Sequence, residues 1–350
     1  MIGKKYTPIE SWIWEHLQPV ESDSATQSYD NILLQGGGKL PLINTPLNLR
    51  DIAHFADEAQ IQEFVAATRD AQDILDIGTG DGWPALRIAP FVRMVTAIDA
   101  SARRIEVSRA NAAHLHIHNV RFQKMSAVAL DFSTGSFEVV IAASSIEQTP
   151  NPIRALEEVY RVLKPGGRFL VSFESLDVAL DRPLVERVAL REHFDGTAGW
   201  YYCLKHRDPP WERNYLVRFK STPEVAQAFA RARDILAQAG DNPAQVREIG
   251  IELLESQLAQ LHSSSYYELE HFTTKTMVET LEDIGFENVR GYYSAARLAR
   301  LFFPQINVAD LTDLELQELA HALGQMALHL PAPTDQGQPV MANKPETSDR

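Results

Sequence analysis

The chain has 350 residues, of which 45% are hydrophobic, and a formal net charge of −14 from 47 acidic and 33 basic residues. This length and composition suit a globular protein with a sizeable core. The acidic balance argues against a nucleic-acid partner, which would need a basic surface. No run approaches the roughly 20 apolar residues of a membrane span, so we expect no membrane insertion and a cytoplasmic location. The single Cys203 excludes an intrachain disulfide and any multi-cysteine zinc site.

Residues 1–70 are predicted to form an N-terminal helical flap. An amphipathic run from Ile9 to Leu17 is followed by a polar stretch and by the loop Gly36-Gly37-Gly38. Tyr29 and this loop could close over a ligand, although a solvated surface loop is the commoner role for such sequence. Apolar positions at helical spacing over residues 51–70 then lead into the first buried strand.

An apolar run at residues 74–77 ends in the glycine-rich loop 78–82, directly before Trp83-Pro84. This pattern predicts a strand buried on both faces, a tight loop and a helix start, because glycine allows positive φ and proline suits the first helical turn. An ordinary strand-to-helix turn would look similar. A dinucleotide-binding loop needs glycine where Trp83 stands, which argues against a nicotinamide-dependent oxidoreductase. Asp76, just before the loop, favours a cationic or amine-bearing ligand.

Strands and helices alternate over the next hundred residues. The run Met94–Asp99 ends in a carboxylate that could accept the hydroxyls of a ribose or cap the helix that starts at Ala102. Helices are predicted over residues 84–92, 102–113 and 152–163, and further strands over residues 119–124, 137–142 and 168–174. This alternation predicts an α/β fold with a doubly wound, mostly parallel sheet that is covered by helices on both faces.

The order and spacing of four motifs resemble the class I S-adenosylmethionine-dependent methyltransferases, in particular the small-molecule branch that includes quinone-biosynthesis methyltransferases. The motifs are the loop Asp76–Gly82, the acid Asp99, the run Phe137–Ile141 and the turn Arg161–Arg168. The resemblance implies a Rossmann-like fold, the cofactor S-adenosyl-L-methionine and methyl transfer to a small-molecule acceptor, aromatic or apolar. The alternative is a non-catalytic S-adenosylmethionine-binding or regulatory protein on the same fold.

The resemblance also implies which residues bind the cofactor. Asp76 and the glycine loop would hold its methionine half, and Asp99 would bind the ribose hydroxyls. Relatives often place an acid after the third strand to bind the adenine amine, but Ser126 stands there in this chain. The full implied set is Asp76, Gly78, Thr79, Gly80, Gly82, Asp99, Ala100, Ser101, Ser126, Ala127 and Ser144.

Catalysis would depend mainly on alignment and exclusion of water, because the sulfonium methyl group is already activated. A base is needed only if the acceptor must lose a proton. Relatives often carry Glu-His after the fourth strand, whereas this chain has Glu147-Gln148. The candidate bases are Glu147, His193, His206 and His271. A run of alternating histidines before the third strand fits a solvated turn better than a metal site, so we predict no metal.

Nearly a hundred residues separate Glu174 from the start of the family's last helix at Phe272. Helical patterns over Leu184–Phe194, Pro223–Ala239 and Pro243–Leu261 predict an inserted helical cap over the carboxyl edge of the sheet. We expect this cap to form a lid over the acceptor. Its aromatic residues would line the acceptor pocket, pack inside the cap or form a homodimer interface. The candidate substrate-binding residues are Ser145, Trp200, Tyr201, Tyr202 and Trp211.

Five segments are therefore predicted. They are the flap 1–70, the cofactor-binding α/β core 71–175, the helical cap 176–270, a C-terminal part of the core with a closing helix 271–330, and a tail 331–350. The tail is rich in proline and polar residues, which predicts disorder. Ser294–Phe303 looks helical, so the family's usual final hairpin and its seventh strand are not evident.

Overall fold

A computed structural model describes residues 6–22, 47–193, 195–239 and 242–346. The N-terminal part contains helix α1 (Pro8–His16), strand β1 (Val20–Glu21) and helix α2 (Ile52–Ala67). Tyr29 and Gly36–Gly38, which the sequence suggests as a closing loop, lie outside the described residues.

Alternating elements form the α/β core. They are β2 (Asp73–Ile77), α3 (Ala85–Ile88), β3 (Met94–Asp99), α4 (Ala102–His114), β4 (Val120–Lys124), β5 (Phe137–Ala143), α5 (Pro152–Val162) and β6 (Leu163–Ser172). The inserted segment follows with α6 (Leu176–Ala179), β7 (Leu184–Glu192), β8 (Ala198–Arg207), β9 (Pro210–Phe219), α7 (Pro223–Ala239), α8 (Pro243–Gln257) and β10 (Leu261–Glu270). The chain ends with α9 (Thr274–Ile284), β11 (Glu287–Gly291), α10 (Ala295–Phe302), α11 (Asp313–Ala327) and β12 (Val340–Asn343).

The larger sheet has seven strands in the order β11-β12-β6-β5-β2-β3-β4. Its pairings are parallel except for those of β12, which runs antiparallel between β6 and β11. One face packs against α5 and α9 and the other against α2, α3 and α4, each through a separate buried apolar cluster. The strand order reverses between β2 and β5, which is where open α/β sheets bind their ligands. The predicted doubly wound, mostly parallel sheet is confirmed.

The C-terminal tail supplies the seventh strand. Val340 and Ala342 are buried against the sheet, and Met341 and Asn343 point to its other face. The prediction of disorder is therefore wrong for β12. The reason is that a four-residue strand among polar residues has almost no signal of its own and is stabilised by pairing on both sides.

We expected the inserted segment to be a purely helical cap, but it also contains a β-sheet. Strands β7, β8, β9 and β10 form an antiparallel sheet in the order β10-β9-β8-β7, and β1 pairs with β10 in parallel. The predicted helix over Leu184–Phe194 is wrong, because Leu184–Glu192 pairs along its whole length with β8. The two other predicted helices are confirmed as α7 and α8.

The N-terminal residues do not act as one flap in the described part of the chain. Helix α1 packs Ile9 and Ile13 into the core of the inserted sheet, together with Trp200 and Tyr202. Helix α2 instead packs against α10 and α11 beside the larger sheet. Among the described residues, no helix is long and apolar enough to cross a membrane.

Candidate cofactor and active site

A cleft of about 330 Å³ lies at the carboxyl ends of β2, β3 and β5, where the strand order reverses. Its position results from parallel strands that present their carboxyl ends on one edge of the sheet. The residues that line it are Ile77, Gly78, Ile98, Asp99, Ala100, Arg104, Met125, Ser126, Ala127, Ser144, Ser145, Gln148, Thr149 and Pro150.

The glycine loop has the conformation that the sequence predicts. Gly78, Gly80 and Gly82 have φ values of 74°, 61° and 108°, a region that side chains strongly disfavour. The N–H groups of Gly78 and Thr79 both donate to the Ile98 carbonyl, at 2.8 and 2.9 Å, which ties the loop to β3. A Cβ at Gly78 would collide with Ser145 after β5, so this glycine lets two strand ends meet beside the cleft.

Asp99 is fixed at the end of β3 by two backbone donors. One carboxylate oxygen accepts from the Gly80 N–H and the other from the Ser101 N–H, both at 2.9 Å. The cap of α4 is the Ser101 hydroxyl, which accepts from the Arg104 N–H at 3.1 Å. Asp99 is therefore not needed as the cap. Its carboxylate belongs to the lining of the cleft.

Asp76 is a buried carboxylate below the loop. It is 1% exposed, and neither of its oxygens accepts a hydrogen bond within the described residues. Burial raises its pKa to about 7, against a smaller opposing effect from the nearby Thr79 hydroxyl, which itself has no hydrogen-bond partner there. A buried acceptor without a donor fits a site that receives one from a ligand, such as an ammonium group.

Most of the other predicted cofactor residues surround the cleft. Ala100, Ser126, Ala127 and Ser144 line it, and the Met125 N–H beside them donates to the Asp99 carbonyl at 3.0 Å. Ser101 does not line it, because this 1% exposed side chain is turned into its capping role. Ser101 belongs to the implied cofactor set, but its side chain does not face the cleft.

Glu147 and His271 come together at the same edge of the sheet, in a buried network that links the two sheets. Glu147 accepts from the Glu174 N–H at 3.3 Å, and its second oxygen is buried without a described partner. His271 lies 3.2 Å from the Glu174 carbonyl through Nδ1 and 3.1 Å from Glu212 through Nε2. Lys205 pairs with both Glu174 and Glu212.

The environment of the network raises the pKa values of Glu147 and His271 and lowers that of Glu212. Burial raises the pKa of Glu147 to about 7, with a partly opposing effect from nearby His271. Burial would also raise the pKa of Glu212, but the hydrogen bond to His271 and the charge of Lys205 outweigh it and lower that pKa to about 2. For His271, the hydrogen bond to Glu212 likewise outweighs burial, and its pKa is raised.

The two other candidate histidines are not part of this network. The His193 N–H donates to the Thr197 carbonyl at one end of β8, while the His271 N–H donates to the Pro210 carbonyl at the other. A strand of ten residues makes these ends about 30 Å apart. Burial also lowers the pKa of His193 to about 4. His206 lies at the His271 end of β8, but it stacks on Trp211 with ring centroids 5.0 Å apart and does not line the cleft.

The predicted acceptor-binding aromatics need a similar correction. Trp200 and Tyr202 are 0% exposed in the core of the inserted sheet, so neither lines the cleft. Tyr201 is hydrogen-bonded to His193 at 2.9 Å. Trp211 lines a second cavity, and only Ser145 of the predicted set lines the cleft itself. Consecutive aromatic residues along β8 point to opposite faces of the inserted sheet. The sequence alone does not show which of these faces packs into a core and which could contact a ligand.

Several residues of the site escape sequence reasoning. Arg104, Met125, Thr149 and Pro150 line the cleft, yet no motif distinguishes them. Glu212 meets His271 only because β9 pairs with β10 so that Trp211 lies opposite Glu270. That register brings residues distant in sequence together, so it leaves no local signal.

Comparisons with known proteins agree with this geometry. Residues 75–171 match the family model of a methyltransferase domain. The uncharacterized methyltransferase YcgJ of Bacillus subtilis is 36% identical over 106 residues, which is 30% of this chain and 42% of that protein. The demethylmenaquinone methyltransferase of Lactococcus lactis is 36% identical over 100 residues, or 27% of this chain and 39% of that protein.

The family match lies within the α/β core, and the chain spans less than half the length of either relative. The solved structure of the [4+2]-cyclase SpnF covers 94% of this chain and 99% of its own at 18% identity, with a TM-score of 0.45. The core sequence, the sheet order and the glycine loop agree in this comparison: residues 75–171 match a methyltransferase domain, within an α/β core that has a doubly wound, mostly parallel sheet.

Proposed function

We propose that the whole chain transfers a methyl group from S-adenosylmethionine to a small-molecule acceptor. The observation that carries this proposal is the cleft at the strand reversal, where Asp99 is oriented by two backbone donors. Asp76, in the strand that ends at this cleft, is a buried acceptor without a described donor. The relatives support the acceptor class, since one is named for demethylmenaquinone and another for 27-O-demethylrifamycin SV. No feature of the cleft favours the non-catalytic alternative.

The residues of the cleft fit the cofactor. Asp99 would hold the ribose hydroxyls, since charged hydrogen bonds are the strong ones in such sites. Asp76 would attract the ammonium of the methionine half, whose charge offsets the cost of a buried carboxylate. Bound there, S-adenosylmethionine supplies a methyl group already activated by the sulfonium charge. The task of the chain is then to align the acceptor and exclude water.

If the acceptor must lose a proton, Glu147 with His271 is the pair that we propose as base. A carboxyl group with a pKa of about 7 suits this role at neutral pH. Glu147 follows Ser145, which lines the cleft, by two residues. His193 and His206 are not proposed as bases. His193 lies at the far end of β8, about 30 Å from the His271 contact. His206 is stacked on Trp211 and does not line the cleft.

We further propose that residues 176–270 cover the acceptor side of the cleft. The contacts of Glu174 and His271 with β8 and β9 hold the inserted sheet at the carboxyl edge of the larger one. Three further predictions remain. The chain has no nucleic-acid partner, it forms a homodimer through the inserted segment, and it is located in the cytoplasm.

The activity can be tested by incubating the protein with methyl-labelled S-adenosylmethionine and a small-molecule extract of the cells in which the protein naturally occurs. We expect label in an organic product of low molecular mass, together with release of S-adenosylhomocysteine. The variant Asp99→Asn should lose this transfer, whereas Asp131→Asn, an exposed acid outside the cleft, should retain it. Tight cofactor binding without transfer to any component would instead support the non-catalytic alternative.

A further inference from the structure

A third cavity, of about 360 Å³, lies on the face of the larger sheet that α2 covers. Residues of β6, β11 and β12 line it, together with the carboxyl ends of α2 and α11. Arg168 in this lining pairs with Val139 near the start of β5, so the cavity lies toward the amino ends of the parallel strands. It shares no lining residue with the cofactor cleft, which lies at their carboxyl ends.

The buried part of this lining is apolar and the exposed part is basic. Phe169 and Leu170 are at most 1% exposed and present an apolar surface. Three arginines, Arg69, Arg168 and Arg290, are exposed and come from three separate elements around that surface. A volume of this size with an apolar wall and a few placed polar groups is typical of small-molecule sites.

The charges of the three arginines are not balanced by acids. Asp70 supplies the one carboxylate among the residues that line the cavity, and it forms no ion pair with them. Within the described part of the chain, none of the three guanidinium groups forms an ion pair with any carboxylate. The lining therefore has an excess of two positive charges, with His329 counted as neutral, although the whole chain is acidic. This local field favours an anion.

Two of the guanidinium groups are held in place by backbone carbonyls. Arg168 donates from Nη1 to the Ala67 carbonyl at the end of α2, at 2.9 Å. Arg290 donates from Nη2 to the Leu328 carbonyl at the end of α11, also at 2.9 Å. Capping of the two helices explains one N–H group of each arginine, but a guanidinium has five. The remaining donors are therefore oriented in advance, which lowers the entropy that a ligand loses on binding.

Gln325 gives a second and independent indication of a ligand. This residue lines the cavity from α11, and its Nε2 group is buried without a hydrogen-bond acceptor among the described residues. A buried donor of this kind costs free energy unless an acceptor is supplied. An anion in the cavity would supply one, whereas a cation would not.

We propose that this cavity binds a phosphate monoester with an apolar body. The phosphate oxygens would accept from the three arginines, whose planar groups suit this geometry, and the body would lie on Phe169 and Leu170. A phosphate monoester is a dianion at pH 8, because its second pKa is about 6, so it balances the excess of two charges. A carboxylate would balance only half of it. The proposal concerns binding alone and does not depend on methyl transfer, so either can fail while the other holds.

Calorimetry of the full chain at pH 8 and low salt tests the ligand class with phenyl phosphate, benzoate, inorganic phosphate and benzyl alcohol. We expect saturable binding of phenyl phosphate, about tenfold or more tightly than benzoate or inorganic phosphate, and no detectable binding of the alcohol. Affinity for phenyl phosphate should fall as salt is added. Equal affinity for phenyl phosphate and inorganic phosphate would refute a role for the apolar surface.

Variants on two separate elements locate the site. Arg69→Gln changes an exposed side chain that makes no hydrogen bond within the described residues, and it should weaken phenyl phosphate binding about fivefold or more. Gln325→Leu should weaken binding several-fold without lowering stability in urea, because it removes an unsatisfied donor. The control Arg300→Gln removes an exposed arginine of α10 outside the cavity and should bind normally.

The proposal is overturned if phenyl phosphate shows no saturable binding, or if benzyl alcohol binds equally well. It is also overturned if Arg69→Gln and Gln325→Leu bind phenyl phosphate as tightly as Arg300→Gln does. That last result would place the phosphate elsewhere on the chain, for example in the cofactor cleft.

Discussion

Asp76 shows at the scale of one residue how a binding function opposes folding stability. Burial raises its pKa from 3.8 to about 7, so the folded protein binds a proton that the unfolded chain has already released above pH 4. The stability from this group is therefore lost as the pH rises from about 4 to about 7. Glu63 and Glu147 are buried carboxyl groups with the same direction of shift, so we expect the ligand-free protein to be more stable at pH 6 than at pH 8.

The variant Asp76→Asn separates the two effects. At pH 8 it should raise the free energy of unfolding by about 2 kcal/mol, because a buried ionised carboxylate is replaced by a neutral amide. The same variant should weaken S-adenosylmethionine binding. Urea unfolding and calorimetry at pH 8 measure both quantities, and a variant that is less stable yet binds normally would contradict this account of Asp76.

A comparison of alanine variants at Gly78 and Gly135 tests the close packing of the glycine loop. Both have φ near 70°, so alanine at either position should cost about 1 kcal/mol in backbone strain. A Cβ at Gly135 meets nothing within 4 Å, whereas one at Gly78 collides with Ser145. Gly78→Ala should therefore be the more destabilising variant by urea unfolding, and it should also weaken cofactor binding. Equal losses in the two variants would argue against close contact between the strand ends.

Local sequence is informative at this scale where the function itself is local. Asp76, the glycine loop and Asp99 belong to two adjacent strands, so their spacing indicates both the fold and the ligand. Ser101 illustrates the limit, because the same residue type at the same place can cap a helix or contact a ligand. Only the hydrogen bond to the Arg104 N–H decides between these roles.

At the scale of elements, β12 is essential to the larger sheet although it lies close to the end of the chain. Val340 is 0% exposed on the face that packs against α9, whereas Asn343 is only partly buried. Val340→Asp should lower the free energy of unfolding by more than about 3 kcal/mol, because it buries an unpaired charge. Asn343→Asp should cost much less. Similar losses in urea for the two variants would show that β12 is not packed into the sheet in solution.

The elements that sequence reasoning missed are those that depend on distant partners. Strands β2 and β3 are mostly apolar and can be identified from sequence alone. The polar and apolar residues of strand β7 are arranged in a pattern that would suit a helix equally well. This segment forms a strand because it pairs with β8. The C-terminal strand needs β6 on one side and β11 on the other before it gains any stability.

At the scale of the whole molecule, the pair His271–Glu212 helps to join the inserted sheet to the α/β core. Because the pKa of His271 is raised, its stabilising effect is complete below the ordinary value of 6.5 and is lost as the pH rises through the raised value. Glu212→Gln should therefore destabilise the protein by about 2–4 kcal/mol at pH 6 and by less at pH 9. Urea unfolding at both pH values measures this, with the exposed Glu270→Gln as control. A loss that does not change with pH would assign the pair a packing role only.

The central claim is that the cleft at the strand reversal binds S-adenosylmethionine through Asp99. Calorimetric titration of the full chain with this cofactor tests it most directly, with Asp99→Asn and the exposed control Asp131→Asn measured in parallel. We predict saturable binding with one site per chain, a loss of about 1–3 kcal/mol in Asp99→Asn and no change in Asp131→Asn. Unchanged affinity in a folded Asp99→Asn protein, or no saturable binding to the unaltered chain, would contradict the claim.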